Sequence, residues 1–474
     1  MRLFSFATVV VLVFALIAGC GSQRGRNDHD VGTCDIDAPN CAEGLVCNVV
    51  IDADPRCVVP LTIRGLVLDA TDVSVIAAAL VQAVDVNGAA VGTSAATGDD
   101  GSFTLTVPAL RDADGTPVEG SYTLRAQAAD FQSFPTAIRP ALPLDATTAT
   151  LNDDGWVIEN ALTTVKLLPL PGDTSNLGSI SGTIHAEKRA GILVVAEGAD
   201  GGFTGFSDAD GVYTIFNVQA GTYNVRGYAA GVQLNPATTA VASAEDQTGV
   251  ELTESGQPLS SVSGNIQIVN APGDSQTSVV LAVESTFMEE AARGTVPPGL
   301  RVGEVTGEFT IEDVPDGRYV VLAAFENDLL VRDPDQTIGG TRIVRIEVPD
   351  PAMGNAVTLS EGFKVTEALA VVTPGAEGPE EVTTPTPVFE WEDDSSEEGY
   401  EVRVFDAFGN EIFSEEIGPV SGSATVSHTY AGPALEPGMF YQFRVTSFRE
   451  KTGDRTAISS TEDLKGVFQY VVTP

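Results

Sequence analysis

The feature that most constrains the fold is an internal repeat. Ile63-Arg-Gly-Leu-Val67, Ile180-Ser-Gly-Thr-Ile184 and Val262-Ser-Gly-Asn-Ile266 are three versions of one strand opening. Each is followed, a few tens of residues later, by a second shared block. Its clearest copy reads Asp208-Ala-Asp-Gly-Val-Tyr-Thr-Ile-Phe-Asn-Val-Gln-Ala-Gly-Thr-Tyr-Asn-Val-Arg-Gly227, and Gly307-Glu-Phe-Thr-Ile-Glu-Asp-Val-Pro-Asp-Gly-Arg-Tyr-Val-Val-Leu-Ala323 keeps the same spacing between its glycines. In the first copy, Asp100-Gly-Ser-Phe-Thr-Leu-Thr-Val107 and Gly120-Ser-Tyr-Thr-Leu-Arg-Ala126 are separated by an insertion carrying Arg111-Asp-Ala-Asp-Gly-Thr-Pro117. Recurrence of this kind means that one supersecondary unit is used several times.

Within the block, Tyr213 and Ile215, then Tyr223 and Val225, alternate with polar residues, the period of strands that bury one face. Asp210-Gly211 and Ala220-Gly221 supply the turns, and Phe309, Ile311, Tyr319 and Val321 repeat the pattern. The alternation predicts an all-β chain of tandem antiparallel sandwiches, with Tyr223 and Tyr319 in equivalent inward positions. Asn87-Gly88, between 79–86 and 89–95, adds a hairpin signal. Val73, Ile76, Ala77, Leu80 and Val84 also fit helical spacing, but the hairpin and the repeat context favour strand. Asp208-Ala-Asp210-Gly211 and Asp112-Ala-Asp114-Gly115 look like fragments of calcium loops. The third copy, Val305-Thr306-Gly307, has lost both acids, which favours turns whose aspartate bonds its own backbone.

The Asp-Gly-x-aromatic and Gly-x-Tyr blocks resemble the carboxypeptidase regulatory-like domain, a sandwich related to transthyretin and grouped with starch-binding-like folds. The resemblance spans roughly 61–360 and implies sandwiches over 61–170, 178–256 and 260–362 without a catalytic motif. The zinc-binding catalytic domain of such peptidases has no counterpart: His29, His185 and His428 are the chain's histidines, and none sits in a His-x-x-Glu arrangement. Each reads as a surface or turn residue. Beyond a Pro- and Gly-containing linker around 373–387, Pro387-Val-Phe-Glu-Trp391, Tyr400-Glu-Val-Arg-Val404 and Leu435-Glu-Pro-Gly-Met-Phe-Tyr-Gln-Phe-Arg-Val445 resemble strands of a fibronectin type III-like domain, placed at 367–474. That resemblance implies a core role for Trp391 and a Tyr441 hydroxyl bonded back to the nearby backbone. The alternation of Trp391 with Val388 and Phe389 also favours the core over sugar stacking.

At the other end, Leu16-Ile17-Ala18-Gly19-Cys20 closes a short apolar run behind Arg2 and resembles the lipobox of a bacterial lipoprotein. The resemblance implies a signal peptide over 1–19, palmitate-type acylation of Cys20, a tether over 20–32 and anchoring to the cell envelope; Gly21 in place of aspartate points to the outer membrane. An uncleaved anchor over 3–19 and a plain secretory signal are the alternatives. Cys34, Cys41, Cys47 and Cys57 form an even set in a short segment, 33–60, as expected of two disulfides in an oxidising compartment. A zinc site would normally show Cys-x-x-Cys, which the segment lacks. The segment resembles the small cysteine-rich modules near the start of many bacterial surface lipoproteins. Three connectivities are open, with the interleaved Cys34–Cys47 and Cys41–Cys57 pairing as the working choice.

With 66 acidic residues against 25 basic ones, the chain opposes binding to nucleic acid or to an anionic membrane surface and favours cationic partners and divalent metals. The plainest reading of the charge is solubility. A hydrophobic content of 43% is ample for packed cores, and 474 residues imply several domains. The sequence contains no Gly-x-Ser-x-Gly elbow, phosphate loop or metal-ligand cluster, and Asp393-Asp394 and Glu397-Glu398 read as a solvated loop. No catalytic residue, metal or cofactor is therefore assigned. The expectation is a non-enzymatic, lipid-anchored envelope protein that displays its sandwiches to envelope or surface proteins, with glycan binding as the alternative.

Overall fold

The computed structural model describes residues 32–36, 40–85, 88, 90–136, 138–199, 201–289, 292–324, 328–394, 396–420, 423–451 and 454–472. Cys20 and His29 lie outside them, as does Asn87 of the expected hairpin turn. The described chain contains forty strands and three single turns of 3-10 helix, an all-β architecture. Among the described residues no helix is long and apolar enough to cross a membrane.

The repeat seen in sequence is a repeat in space. The opening strands Leu61–Asp69, Gly178–His185 and Ser260–Val269 run antiparallel to Ser102–Val107, Val212–Val218 and Glu308–Val314. On its other edge each opening strand pairs in parallel with a later segment: Thr164–Leu167, Leu252–Glu254 and Phe363–Glu367. The facing sheet of each sandwich pairs Leu80–Val84 with Ser121–Gln127, Leu193–Gly198 with Gly221–Tyr228, and Thr277–Val283 with Gly317–Ala323. Alternate residues of the two sheets meet in a buried core, so Tyr213, Ile215, Tyr223 and Val225 share one cluster and Phe309, Ile311, Tyr319 and Val321 another. The two tyrosines are equivalent in detail: Tyr223 Oη donates to the carbonyl of Gln219 and Tyr319 Oη to that of Pro315, both at 2.8 Å.

The interrupted first copy has a structural reason. Tyr122 makes the corresponding bond to Pro108, immediately before the insertion. The inserted residues form Leu110–Arg111 and Pro117–Glu119, and Arg111 pairs with Val50 of the cysteine-rich segment. Arg111 is fully buried and donates to Asn48 Oδ1 at 2.9 Å and to the carbonyls of Val59 and Gly115 at 3.2 Å. The insertion is thus the dock for the cysteine-rich segment, which is closed by Cys34–Cys47 and Cys41–Cys57, the interleaved pairing.

Three local expectations are corrected. Strand begins at Leu80; Val73, at φ +63° and 62% exposed, sits in the preceding turn, where its apolar side chain finds no buried face. The segment around 373–387 is more than a linker, because Glu380–Val382 adds a parallel edge strand to Val467–Tyr470. Nor are the paired acids merely solvated: Asp393 accepts from Tyr400 Oη and Asp394 from Ser447 Oγ, both at 2.7 Å, while Glu398 accepts the Glu450 N–H. These contacts pin the loop before Gly399–Asp406. In the same fourth sandwich Trp391 is fully buried beside Tyr400, and Tyr441 Oη accepts the Glu436 N–H at 2.7 Å.

Candidate functional site

The site arises where the sandwiches meet. Between the first and second, Gln82 Nε2 donates to the Ser207 carbonyl at 2.9 Å, Gln127 Nε2 to that of Thr204 at 3.2 Å, and the Arg125 guanidinium lies 3.6 Å from the Phe206 ring centroid. Asn217, at φ +62°, accepts the Asp130 N–H at 2.7 Å and donates to the carbonyls of Ala128 and Phe131. Between the second and third, Leu193, Val195 and Tyr228 enter the third sandwich's core, with Tyr228 edge-on to Tyr319 at 5.8 Å. The third meets the fourth through Leu329 N–H to Glu462 at 2.7 Å. Burial raises the Glu462 pKa.

The chain then closes on itself. Gln132 Nε2 of the first sandwich donates to the Ala407 carbonyl of the fourth at 2.7 Å, and Lys166 Nζ reaches Glu381 at 3.0 Å and Gln469 at 2.9 Å. Beneath these bonds Ile138 and Leu168 pack with Ala407, Phe440 and Val467. Gly438 is required here: at φ +83°, it brings its backbone so near the first sandwich that a Cβ would stand 2.3 Å from the Ala70 carbonyl oxygen.

All four sandwiches line a cleft of about 720 Å³ at this junction. Phe131, Phe134, Phe203, Phe206, Phe216 and Phe408 give it an apolar wall, and Arg125, Arg139 and Arg293 give it charge. Arg139 is 3% exposed, stacked on Phe440 with its Cζ 4.4 Å from the ring centroid and on Phe134 at 5.0 Å, and its Nη2 donates to the Lys166 carbonyl. Its Nε and Nη1 meet no acceptor among the described residues. Burial lowers the pKa of Arg139 to about 9 and those of Arg125 and Arg293 to about 10, Asp85 and Asp463 respectively offsetting part of the effect for the last two. All three carry their charge at neutral pH. The cleft can therefore surround a ring-sized ligand with apolar faces and present cationic donors to it.

None of these residues was singled out in the sequence. The sites expected from sequence lie elsewhere. Cys34, Cys41 and Cys57 form a group whose sulfurs lie within 4.8 Å of one another, the spacing of a metal cage, but each sulfur belongs to a disulfide. The Asp-x-Asp-Gly segments are turns in which Asp208 Oδ1 accepts the N–H groups of Asp210 and Val212 at 2.9 Å, and Asp112 Oδ1 those of Asp114 and Thr116 at 2.9 and 2.8 Å. His185 pairs with Glu251 at 2.6 Å, and His428 stacks on Phe413.

No protein-family model matches the chain, and no curated protein matches it. Solved structures give low similarity. The Bacillus anthracis TIE protein aligns at 11% identity over 83% of this chain, with a TM-score of 0.15; the chain spans 65% of that protein's length. The shaft pilin SpaA of Lactobacillus rhamnosus GG aligns at 12% identity over 42% of this chain and 98% of its own, with a TM-score of 0.18. The major pilin subunit BcpA of Bacillus cereus aligns at 8% identity over 64% and 99%, with a TM-score of 0.17. At such scores the likeness carries no argument about function.

Proposed function

We propose that the protein is a non-enzymatic component of the bacterial cell envelope, anchored through lipidated Cys20 to the outer membrane, that presents its sandwiches to envelope or surface proteins as one assembled body. The observation that supports this reading is the set of four junctions, the last of which ties the fourth sandwich back to the first. A spacer needs no return contact; a platform of fixed shape does. On this reading 61–170, 178–256, 260–362 and 367–474 are its building units, related to carboxypeptidase regulatory-like and fibronectin type III-like sandwiches, with 33–60 as a disulfide-closed base above the tether. The Cys20 lipobox supports the anchor. Buried Arg111 serves the scaffold in this account by holding the cysteine-rich segment.

Palmitate labelling of cells carrying the chain and its Cys20→Ser variant tests the anchor. Label in the membrane fraction for the parent, and an unlabelled, larger precursor for the variant, are expected. Equal labelling of both would remove the anchor from the account. Glycan binding is the second reading, and the phenylalanine-walled cleft is the observation that favours it.

A further inference from the structure

We propose that the cleft between the four sandwiches binds a carboxylate carried on a ring-sized body, with Arg139 receiving the carboxylate. This rests on the cleft being a ligand site and is independent of the lipid anchor.

Charge is placed against the trend of the chain. The chain carries 66 acidic residues and 25 basic ones, yet the cleft is lined by three arginines and a single carboxylate, Asp173, whose Oδ1 already accepts the Ser175 N–H at 3.0 Å. A buried cation is costly unless something answers its charge. Among the described residues Arg125 has Asp85 nearby, but Arg139 meets two ring faces and one backbone carbonyl, and no carboxylate offsets its burial. Hydrogen-bonding capacity is also left over at the same place. Among the described residues Nε and Nη1 of Arg139 meet no acceptor, and Oε1 of Gln132, another residue of the cleft wall, meets no donor. With Nη2 taken by the Lys166 carbonyl, Nη1 or Nε of Arg139 can each give a carboxylate one charge-assisted bond, and a ligand hydroxyl would answer Gln132. Both sets of atoms are covered by protein, so a ligand reaches them when the Arg139 and Gln132 side chains turn toward it. Six phenylalanine rings and about 720 Å³ suit a ring-sized body better than a bare ion.

A uronic acid and a hydroxylated aromatic acid share this chemistry, and titration calorimetry on the full chain at low ionic strength separates them. D-galacturonate is compared with D-galactose, and 4-hydroxybenzoate with 4-hydroxybenzamide, with inorganic sulfate as the simple anion. At least one acid is expected to bind once per chain, about tenfold or more tighter than its neutral partner, as a charge-assisted bond implies. The pair that shows the difference identifies the source. Arg139→Gln should abolish that preference; because Arg139 is packed between rings, Arg125→Gln, on the cleft wall, provides a second variant, expected to weaken the acid severalfold while thermal melting verifies folding. Neither acid binding at about 10 mM, acid and neutral partner binding alike, or both variants binding as the parent does would overturn the proposal. Sulfate binding as tightly as either acid would also overturn it, since the cleft would then be an ion site that ignores the ring.

Discussion

The junction between the first and second sandwiches and that between the second and third use the same places on the repeat with different chemistry. On the outer face of the first, Gln82 stands opposite Arg125 and Leu80 opposite Gln127; on the second, Val195 stands opposite Arg226 and Leu193 opposite Tyr228. The docking bond is also shared. A residue at positive φ, Asp130 or Gly231, donates its N–H to the position held by Asn217, on its side-chain Oδ1, or by Asp313, on its backbone carbonyl, both themselves at positive φ. The docking position is therefore shared, and the exchange of Gln82 and Gln127 for Val195 and Tyr228 decides the glue. The apolar seam extends the third sandwich's core onto the outer face of the second, whose own core stays a separate cluster, whereas the amide seam sets register and joins no apolar cluster across it.

The largest effect should come from Tyr228→Ala, which removes a fully buried ring and its edge-on contact with Tyr319, at a cost of about 3 to 5 kcal/mol. Calorimetry of the parent should show the second and third sandwiches melting together, and of the variant, melting apart; joint melting in both would place the coupling elsewhere. Alkali should sharpen the contrast. Burial raises the Tyr228 and Tyr319 pKa values well above 10, so both phenols stay neutral in the folded state while unfolded tyrosine ionises. Their contribution is present below pH 10 and lost as pH rises beyond it. Arg125 acts oppositely, because its lowered pKa of about 10 lets stability rise with pH above that value. The second–third seam should thus fail first in an alkaline melt, and simultaneous failure would contradict the assignment.

Asn217→Gly keeps the positive φ but deletes three bonds to the first sandwich, at about 1 to 3 kcal/mol. Hydrogen exchange at the Asp130 amide should accelerate while the second sandwich's melting is unchanged; a still-protected amide would show that the junction is held without Asn217. Gln127→Ala should be the mildest, about 0.5 to 1.5 kcal/mol for its bond to the Thr204 carbonyl, read by the same exchange at neighbouring amides.

The repeat, its inward tyrosines and Trp391 were legible in the sequence because burial within a sandwich imposes period two, and the alternation is visible residue by residue. The even cysteine set likewise announced two disulfides. The junctions were not legible. Gln82, Gln127 and Asn217 occupy outward positions, where a polar residue reads as solvated, and nothing local distinguishes a neighbour from water. The arginines of the cleft come from 125, 139 and 293, separated by whole sandwiches, so a net charge of −41 averages them away. The insertion at 109–119 showed itself only as an interruption; its purpose required seeing Arg111 against Asn48.

The central claim is that the chain closes, fourth sandwich onto first. Lys166 Nζ and Glu381 lie 3.0 Å apart across 215 residues of sequence, both partly exposed, so a carbodiimide that joins an amine to a carboxylate only at contact should link them. Peptide mapping of the monomeric product is predicted to recover the Lys166–Glu381 amide. Recovery of cross-links only within single sandwiches, with Lys166 unmodified or joined to acids of the first sandwich alone, would contradict the closed body and with it the cleft.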